Sequence, residues 1–169
     1  VLYSGMDLKI VLLSAAGCYG LLTLVFRGIG RHGGPSGELT RVRLTLGERQ
    51  VELTGLVDTG NTLTDPATGR PVLVAEADSL EELLPPGLRP GPAELRDPAG
   101  VLERLEDGPW RLRFRLLPYR AVGVERGLLL ALRMDRVQVG EEDRGPMLAA
   151  LSPTPVSDGG AYRVLVGAE

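Results

Sequence analysis

The sequence is poor in the residues that build many common active sites. Its 169 residues include one cysteine, Cys18, and one histidine, His32. A single cysteine excludes an intramolecular disulfide framework, and the two residues together are too few for a Cys/His metal site. A Ser-His-Asp triad or a Cys-His dyad would depend on His32, which lies in a glycine-rich stretch typical of a solvated linker. We therefore expect no metal and no cofactor.

The chain has no excess of basic over acidic side chains, and aromatic side chains are scarce. The formal net charge is −3, so we expect no direct contact with nucleic acid, whose binding is dominated by basic side chains on phosphates. Aromatic residues make up 4% of the chain, against 23 glycines and 13 prolines. This composition favours short strands and turns over a helical bundle. The length suffices for one modest domain with a hydrophobic core.

The start of the chain differs from the rest. Residues 10–26 are uncharged and, with the residues just before them, are about as long as the roughly 20 residues that span a bilayer. Arginines at positions 27, 31, 41 and 43 predict a cytoplasmic C-terminal domain by the positive-inside rule. A signal peptide and a buried soluble helix are the alternatives. We predict a transmembrane helix at 1–27, the last of several in a longer protein, then a linker at 28–37 and a domain at 38–169.

The domain shows the patterns of β-structure. Val42, Leu44 and Leu46 alternate with polar residues, a turn follows at residues 47–48, and a return strand ends at Asp58. Further strands are predicted at 71–75, 110–117, 128–134, 137–139 and 162–166. Residues 78–107 are predicted to form an insertion with two short helices, the second beginning after a cap at Asp97. We interpret this insertion as a surface loop, with a substrate-facing lid as the alternative.

Residues 56–63, Leu-Val-Asp-Thr-Gly-Asn-Thr-Leu, form the most informative stretch. An apolar strand runs directly into Asp-Thr-Gly, which is the arrangement of an aspartic peptidase. Catalysis there needs a carboxylate on a rigid wall, here Asp58. Gly60 would permit a tight turn, and Thr59 could supply a hydroxyl that ties the turn to its partner. The alternative is an ordinary hairpin turn with no catalytic role, because Asp, Asn and Gly are common in turns.

Two longer segments carry a resemblance to a known family. Residues 56–72 and 113–123 resemble, in sequence, order and spacing, the sporulation sigma-E factor-processing peptidases of endospore-forming bacteria. The resemblance implies a retropepsin-like peptidase domain in the cytoplasm, after a membrane part, in the membrane of the mother cell. It also implies an inactive pro-sigma factor as the substrate and a signalling protein on the forespore side. Asn61 differs from the Ala or Ser usual in retroviral enzymes.

The number of catalytic carboxylates predicts a dimer. An aspartic peptidase needs two carboxylates that share one proton, and this chain has one Asp-Thr-Gly. The other candidates, Asp65, Asp97, Asp135 and Asp158, lack that context. We therefore predict a symmetric homodimer in which the two Asp58 residues face each other. The predicted fold class is mainly β, a retropepsin-like aspartic peptidase domain preceded by one transmembrane helix.

Two rival functions remain open. One is a related membrane-tethered aspartic peptidase with another substrate. The other is a non-catalytic, membrane-anchored β module that binds a partner through a sheet edge or through Arg111, Arg113 and Arg115, which alternate along a predicted strand. The segment 71–75 and the turn after it are the predicted flap over the substrate.

Overall fold

Seven strands and one α-helix are found in the part of the chain that this computed structural model describes, which is Tyr19 and residues 37–105, 108–121 and 124–167. The strands are β1 (Gly37–Leu46), β2 (Arg49–Asp58), β3 (Leu73–Glu76), β4 (Phe114–Ala121), β5 (Val124–Val139), β6 (Glu142–Ser152) and β7 (Val164–Gly167). The helix, α1 (Pro98–Arg104), lies between β3 and β4. Short 3₁₀ helices flank it at Ala77–Leu83, Pro86–Leu88, Glu94–Arg96 and Arg111–Arg113.

Six of the strands close into a barrel. The sheet order is β1-β2-β7-β3-β6-β5-β4, and β1 also pairs with β5, so the first six strands of this order form a ring. β4 continues the sheet from β5 outside the ring. β2 pairs with β7 and β3 with β6 in parallel, whereas the other pairs are antiparallel. A closed ring leaves few unpaired strand edges, which removes a route to aggregation.

The β1–β2 hairpin confirms the alternation read from the sequence. Val42, Leu44 and Leu46 are buried in the barrel, because side chains two residues apart point to the same face of a strand. The turn after β1 uses Gly47, whose φ is +60°, a conformation that favours glycine. The backbone N–H of Gly47 donates to Oδ2 of Asp135 at 2.7 Å. The hairpin is thereby fixed to β5.

The insertion between β3 and β4 belongs to the core. Leu80, Leu83, Leu95 and Val101 are buried in the same cluster as the barrel residues. The prediction of a surface loop is therefore wrong for this part of the insertion, since these apolar side chains would be exposed in such a loop. The alternative of a substrate-facing lid stays a prediction. The predicted cap is confirmed: the carboxylate of Asp97 accepts the N–H of Gly100 at 3.1 Å at the start of α1.

β5 corrects the prediction of two strands joined by a turn at residues 135–136. It runs without interruption through these residues as a single 16-residue strand, with a shift of register against β6 between Met134 and Val137. Asp135 is compatible with the strand because the guanidinium of Arg113 donates to its Oδ1 at 2.8 Å. That bond, with the one from Gly47, holds the pKa of Asp135 below its ordinary value.

The predicted fold class is wrong as stated. The residues that the structure describes form a six-stranded barrel with β4 attached, and none of their helices is long and apolar enough to cross a membrane. The longest has seven residues, about 10 Å as an α-helix, against a bilayer core of about 30 Å. The helix predicted at 1–27 lies, except for Tyr19, outside the described residues.

The 61–72 loop, which connects β2 to β3, is held in shape by Asp65. This buried carboxylate accepts the N–H of Ala67 at 3.0 Å and the hydroxyl of Thr68 at 2.8 Å. A guanidinium nitrogen of Arg115 on β4 lies 3.8 Å from it. Burial alone would raise the pKa of Asp65, but the two hydrogen bonds and the charge of Arg115 together lower it below its ordinary value. Asp65 is therefore held as a carboxylate for a structural reason.

Replacing Asp65 by asparagine is expected to destabilise the fold. An amide cannot accept both hydrogen bonds and attract Arg115, so we expect a loss of about 1–3 kcal/mol in the free energy of unfolding at pH 7. Because folding lowers the pKa of Asp65, the contribution of its carboxylate is complete above about pH 4 and is lost as the pH falls through the folded pKa. Thermal unfolding from pH 7 to pH 3 would show the difference in melting temperature shrinking with acid.

A matched control is Asp158→Asn, because Asp158 is exposed and no described residue bonds to its side chain. This variant should melt with the wild type at neutral pH. Equal melting temperatures for Asp65→Asn and the wild type at pH 7 would contradict the role given to Asp65.

Candidate active site

Asp58 is the last residue of β2, between two glycines of neighbouring strands. Its pairing partner on β1 is Gly37, and its partner on β7 is Gly167. Residues paired across strands share one face of the sheet, so Asp58 has no side chain beside it in either direction. A Cβ at Gly37 would lie 2.1 Å from the carbonyl oxygen of Val57, and one at Gly167 would lie 2.9 Å from that of Asn61. Close backbone approach therefore keeps both positions glycine, and the half-buried Asp58 has a glycine on each neighbouring strand.

The turn after Asp58 orients its carboxylate. The N–H of Gly60 donates to Oδ1 at 2.8 Å, and the N–H of Asn61 donates to the backbone carbonyl of Asp58 at 3.1 Å. A Cβ on Gly60 would lie 3.2 Å from Oδ1, so a larger residue would press on the carboxylate. Thr59 is exposed, and no described residue bonds to its hydroxyl. The three residues of the motif are thus adjacent, with one carboxylate oxygen fixed by the backbone.

Asn61 has a role that the sequence did not reveal. Its amide nitrogen donates to the carbonyl of Val72 at 3.2 Å and lies 3.5 Å from that of Leu165 on β7. Its amide oxygen accepts the N–H of Leu63 at 3.3 Å. One side chain therefore joins both ends of the 61–72 loop to each other and to the strand beside Asp58. These bonds need a donor and an acceptor on separate atoms of one short side chain. Ala has neither, and Ser has both on a single oxygen atom.

Asp58 differs from the other aspartates that the sequence offered. Asp65 and Asp135 have arginine partners, and Asp97 caps a helix. No described basic side chain pairs with Asp58, and its Oδ2 accepts no hydrogen bond from these residues. Asp158 is also unpaired, but it lies in an exposed loop. Asp58 is thus a rigidly placed carboxylate whose charge the described part of the chain does not neutralise.

The two segments that carried the family resemblance meet at one cleft. It has a volume of about 390 Å³ and is bounded on one side by residues 60–64 and on the other by residues 118–120. Tyr119 folds over Gly127, its pairing partner on β5, where a Cβ would lie 2.2 Å from the ring. The cleft is open to solvent and begins at Gly60, whose N–H binds the Asp58 carboxylate. Its size lies within the range of ligand sites, about 300–1,000 Å³.

Two other features bear on the assignment. A larger cleft, of about 540 Å³, lies beside the insertion and is lined by Trp110 and Phe114 among others. It contains none of the predicted site residues, and its acid, Glu94, is paired with Arg104 at 2.9 Å, so it lacks a free acid for hydrolysis. Among the described residues, no group of three or more His, Cys, Asp or Glu side chains is placed to hold a metal ion.

The predicted flap at 71–75 is wrong. Most of this segment is β3, which pairs with β6 on one side and β7 on the other. Leu73 and Ala75 are fully buried in the barrel. A strand held on both edges cannot open over a substrate without breaking the sheet.

Comparison with known proteins agrees with the resemblance. A sporulation sigma-E factor-processing peptidase of Priestia megaterium is 36% identical over 135 residues, and one of Bacillus subtilis is 31% identical over 139. A Bacillus thuringiensis subsp. kurstaki protein, provisionally named a sporulation sigma factor-processing peptidase, is 35% identical over 133 residues. Each match covers 76% of this chain. It covers 81% of the Bacillus thuringiensis protein, but 43% of the Priestia megaterium and Bacillus subtilis proteins.

The chain therefore spans less than half the length of two of these relatives. No solved structure matches it, so the expected retropepsin-like fold is not shown. The family model described as sporulation factor SpoIIGA, Peptidase_U4, matches residues 2–169, and the resemblance is confirmed. The chain belongs to the sporulation factor SpoIIGA family of peptidases.

Proposed function

We propose that the chain is the catalytic domain of an aspartic endopeptidase and that Asp58 is its catalytic residue. The observation that carries the proposal is the placement of this carboxylate. It is fixed at one oxygen by the N–H of Gly60, has no ionic partner among the described residues, and lies between two glycines beside an open cleft. The structural aspartates have partners of another kind, an arginine at Asp65 and Asp135 and a helix N-terminus at Asp97, and among the described residues Asp58 has neither.

The mechanism requires a second carboxylate, which we propose comes from a second copy of the chain. Two carboxylates held close together cannot both ionise, so one activates a water molecule while the other donates a proton. In a symmetric homodimer the two Asp58 residues would meet across the two-fold axis. Gly37 and Gly167 support this arrangement because neither strand neighbour of Asp58 carries a side chain that would lie between the two copies. The free hydroxyl of Thr59 would bond to the partner's turn.

The proposed substrate is an inactive sigma factor that carries a pro-segment; the names of two relatives state that those proteins process a sigma-E factor. We propose that cleavage takes place in the cytoplasm of the mother cell. Membrane association and activation by a forespore protein stay predictions.

The rival reading as a non-catalytic binding module has less support. The three arginines that suggested it do not share a strand face: Arg111 and Arg113 lie in a 3₁₀ helix, and Arg115 lies in β4. Arg113 and Arg115 face different acids, Asp135 and Asp65. A related aspartic peptidase with another substrate remains the second candidate, and the choice of substrate in the next experiment decides between them.

The Asp58→Asn variant tests the catalytic assignment. The amide has the same shape and can still accept the N–H of Gly60, so the fold should be retained. Loss of an acid-base group typically lowers the rate about 100- to 10,000-fold. We expect cleavage of a co-expressed pro-sigma factor by the full-length wild-type protein and by Asp158→Asn, but not by Asp58→Asn. If Asp58→Asn cuts the substrate at the wild-type rate, the proposal is wrong.

The Asn61→Ala variant tests whether the loop amide positions the site. It removes both the donor to Val72 and the acceptor for Leu63. A small displacement of a catalytic group is enough to lower kcat by about 10- to 100-fold, with a smaller change in KM. Gln50→Ala is the control, because Gln50 is an exposed amide of the β1–β2 hairpin, lines neither cleft beside the loop, and has a side chain to which no described residue bonds. Equal kcat for both variants would show that Asn61 does not position the site.

Mixed dimers test the need for two copies of Asp58. When wild-type and Asp58→Asn subunits are expressed in equal amounts and pair at random, about one quarter of the dimers contain two wild-type subunits. Activity per total protein should then be about one quarter of the wild-type value. A monomeric enzyme would retain about one half. Mixing with Asp158→Asn subunits controls for expression and should leave the activity unchanged.

A further inference from the structure

A second cleft borders the 61–72 loop, on the side opposite the candidate active site. It has a volume of about 190 Å³, and its polar lining consists mainly of Arg70, Arg115, Arg133 and Asp65. We call it the arginine cleft. Three guanidinium groups face one carboxylate there, so the lining is positively charged in a protein whose net charge is −3.

The arginines of this cleft have spare donors. Arg70 donates to the backbone carbonyl of Arg144 at 3.0 Å, and Arg115 lies 3.8 Å from Asp65. The side chain of Arg133 bonds to no described residue. The Asp65 carboxylate already accepts two hydrogen bonds within its own loop, so it does not neutralise three arginines. Guanidinium groups bind carboxylates through paired hydrogen bonds, which makes an acidic side chain the ligand that fits.

The floor of the arginine cleft is apolar. Leu148 and Met147 of β6 line it, and Leu148 is buried in the small cluster on which Leu63 and Val72 of the loop also pack. A charged pair formed above such a floor is less screened by water than one on an open surface. The site therefore suits the carboxylate and the methylene groups of a glutamate or aspartate side chain.

The arginine cleft and the candidate active-site cleft are both lined by residues of β4. Arg115 and Tyr119 are both on β4, four residues apart, and line the arginine cleft and the candidate active-site cleft respectively. Residues at an even separation on a strand share a face, and four residues of strand measure about 13 Å. An extended peptide spans that distance with about the same number of residues. Between the clefts the loop exposes Thr62 and Thr64, a polar surface that a bound chain can cross.

We propose that the arginine cleft is a specificity subsite that binds an acidic side chain of the protein substrate, about four residues along the substrate chain from the side chain that occupies the candidate active-site cleft. This inference rests on the proposed peptidase function of Asp58. It assigns substrate selection to residues outside the catalytic turn. Arg133 is the decisive donor, because its guanidinium makes no hydrogen bond or ion pair in the described part of the chain and interacts with Asp135 only through its charge.

The first test measures cleavage of peptides by the full-length protein. A set of peptides covering the cleavage site of the pro-sigma factor carries one glutamate moved position by position, with glutamine at the same position as the reference. We expect wild-type kcat/KM to be at least about 10-fold higher for glutamate than for glutamine at one position of the peptide. The Arg133→Gln variant should lose this preference, and Arg133→Glu should favour lysine there.

The control is Arg49→Gln, which removes the same charge from an exposed arginine of the β1–β2 hairpin that no described residue pairs with. It should keep the preference for glutamate. Since Arg133 has no ion pair to lose, the melting temperature of Arg133→Gln should equal that of the wild type. An unchanged preference for glutamate in Arg133→Gln, or no preference in the wild type at any position, would overturn the proposal.

A second test is independent of catalysis. The same peptides, labelled with a fluorophore, are bound to the Asp58→Asn protein, and binding is measured by fluorescence anisotropy. The protein should prefer the glutamate peptide, and the double variant Asp58→Asn/Arg133→Gln should not. If Asp58→Asn cleaves its substrate, the peptidase proposal fails, but the binding preference still decides the subsite. Equal binding of the glutamate and glutamine peptides would overturn the subsite, whatever the result of cleavage.

Discussion

The hydrogen bonds of the Asn61 side chain determine where the candidate active site lies. The chain leaves the barrel at Asp58 and returns at β3, and a loop of this length has many conformations of similar energy. Asn61 selects one by bonding to Val72 at the far end of the loop and to Leu63 near its start. Both clefts are bounded by this loop. The shape of the surface that would bind a substrate therefore depends on one amide.

Glycine imposes the second constraint. The parallel pairing of β2 and β7 brings Gly167 beside Asp58, and the hairpin brings Gly37 to its other side. Each glycine is required by a close backbone contact, since a Cβ would lie within 3 Å of a carbonyl oxygen. The packing of the barrel and the accessibility of the carboxylate thus have the same cause. Any larger side chain at these positions would strain the sheet.

Short-range patterns in the sequence were sufficient for part of this structure. The alternation from Val42 to Leu46 predicted β1, and the Asp-Thr-Gly motif correctly placed Asp58 at a strand end. The rest depends on residues distant in sequence. Asp135 looked like a turn residue because its partners, Gly47 and Arg113, lie 88 and 22 positions away. The prediction of a mainly β fold holds, whereas no helix of the described residues is long and apolar enough to cross a membrane. Strand patterns also do not state which strands close a barrel.

The insertion between β3 and β4 explains why the core and the site can be changed separately. Its leucines fill the main hydrophobic cluster, and burying a leucine contributes about 1.5–3 kcal/mol. The 61–72 loop packs through Leu63 and Val72 on a smaller cluster on the outer face of the sheet. Substitutions in the main cluster therefore act on the global stability of the barrel. Substitution of Asn61 displaces a few hydrogen bonds and changes the geometry around Asp58 while the barrel stays folded, whereas substitution of Asp65 in the same loop also lowers the stability.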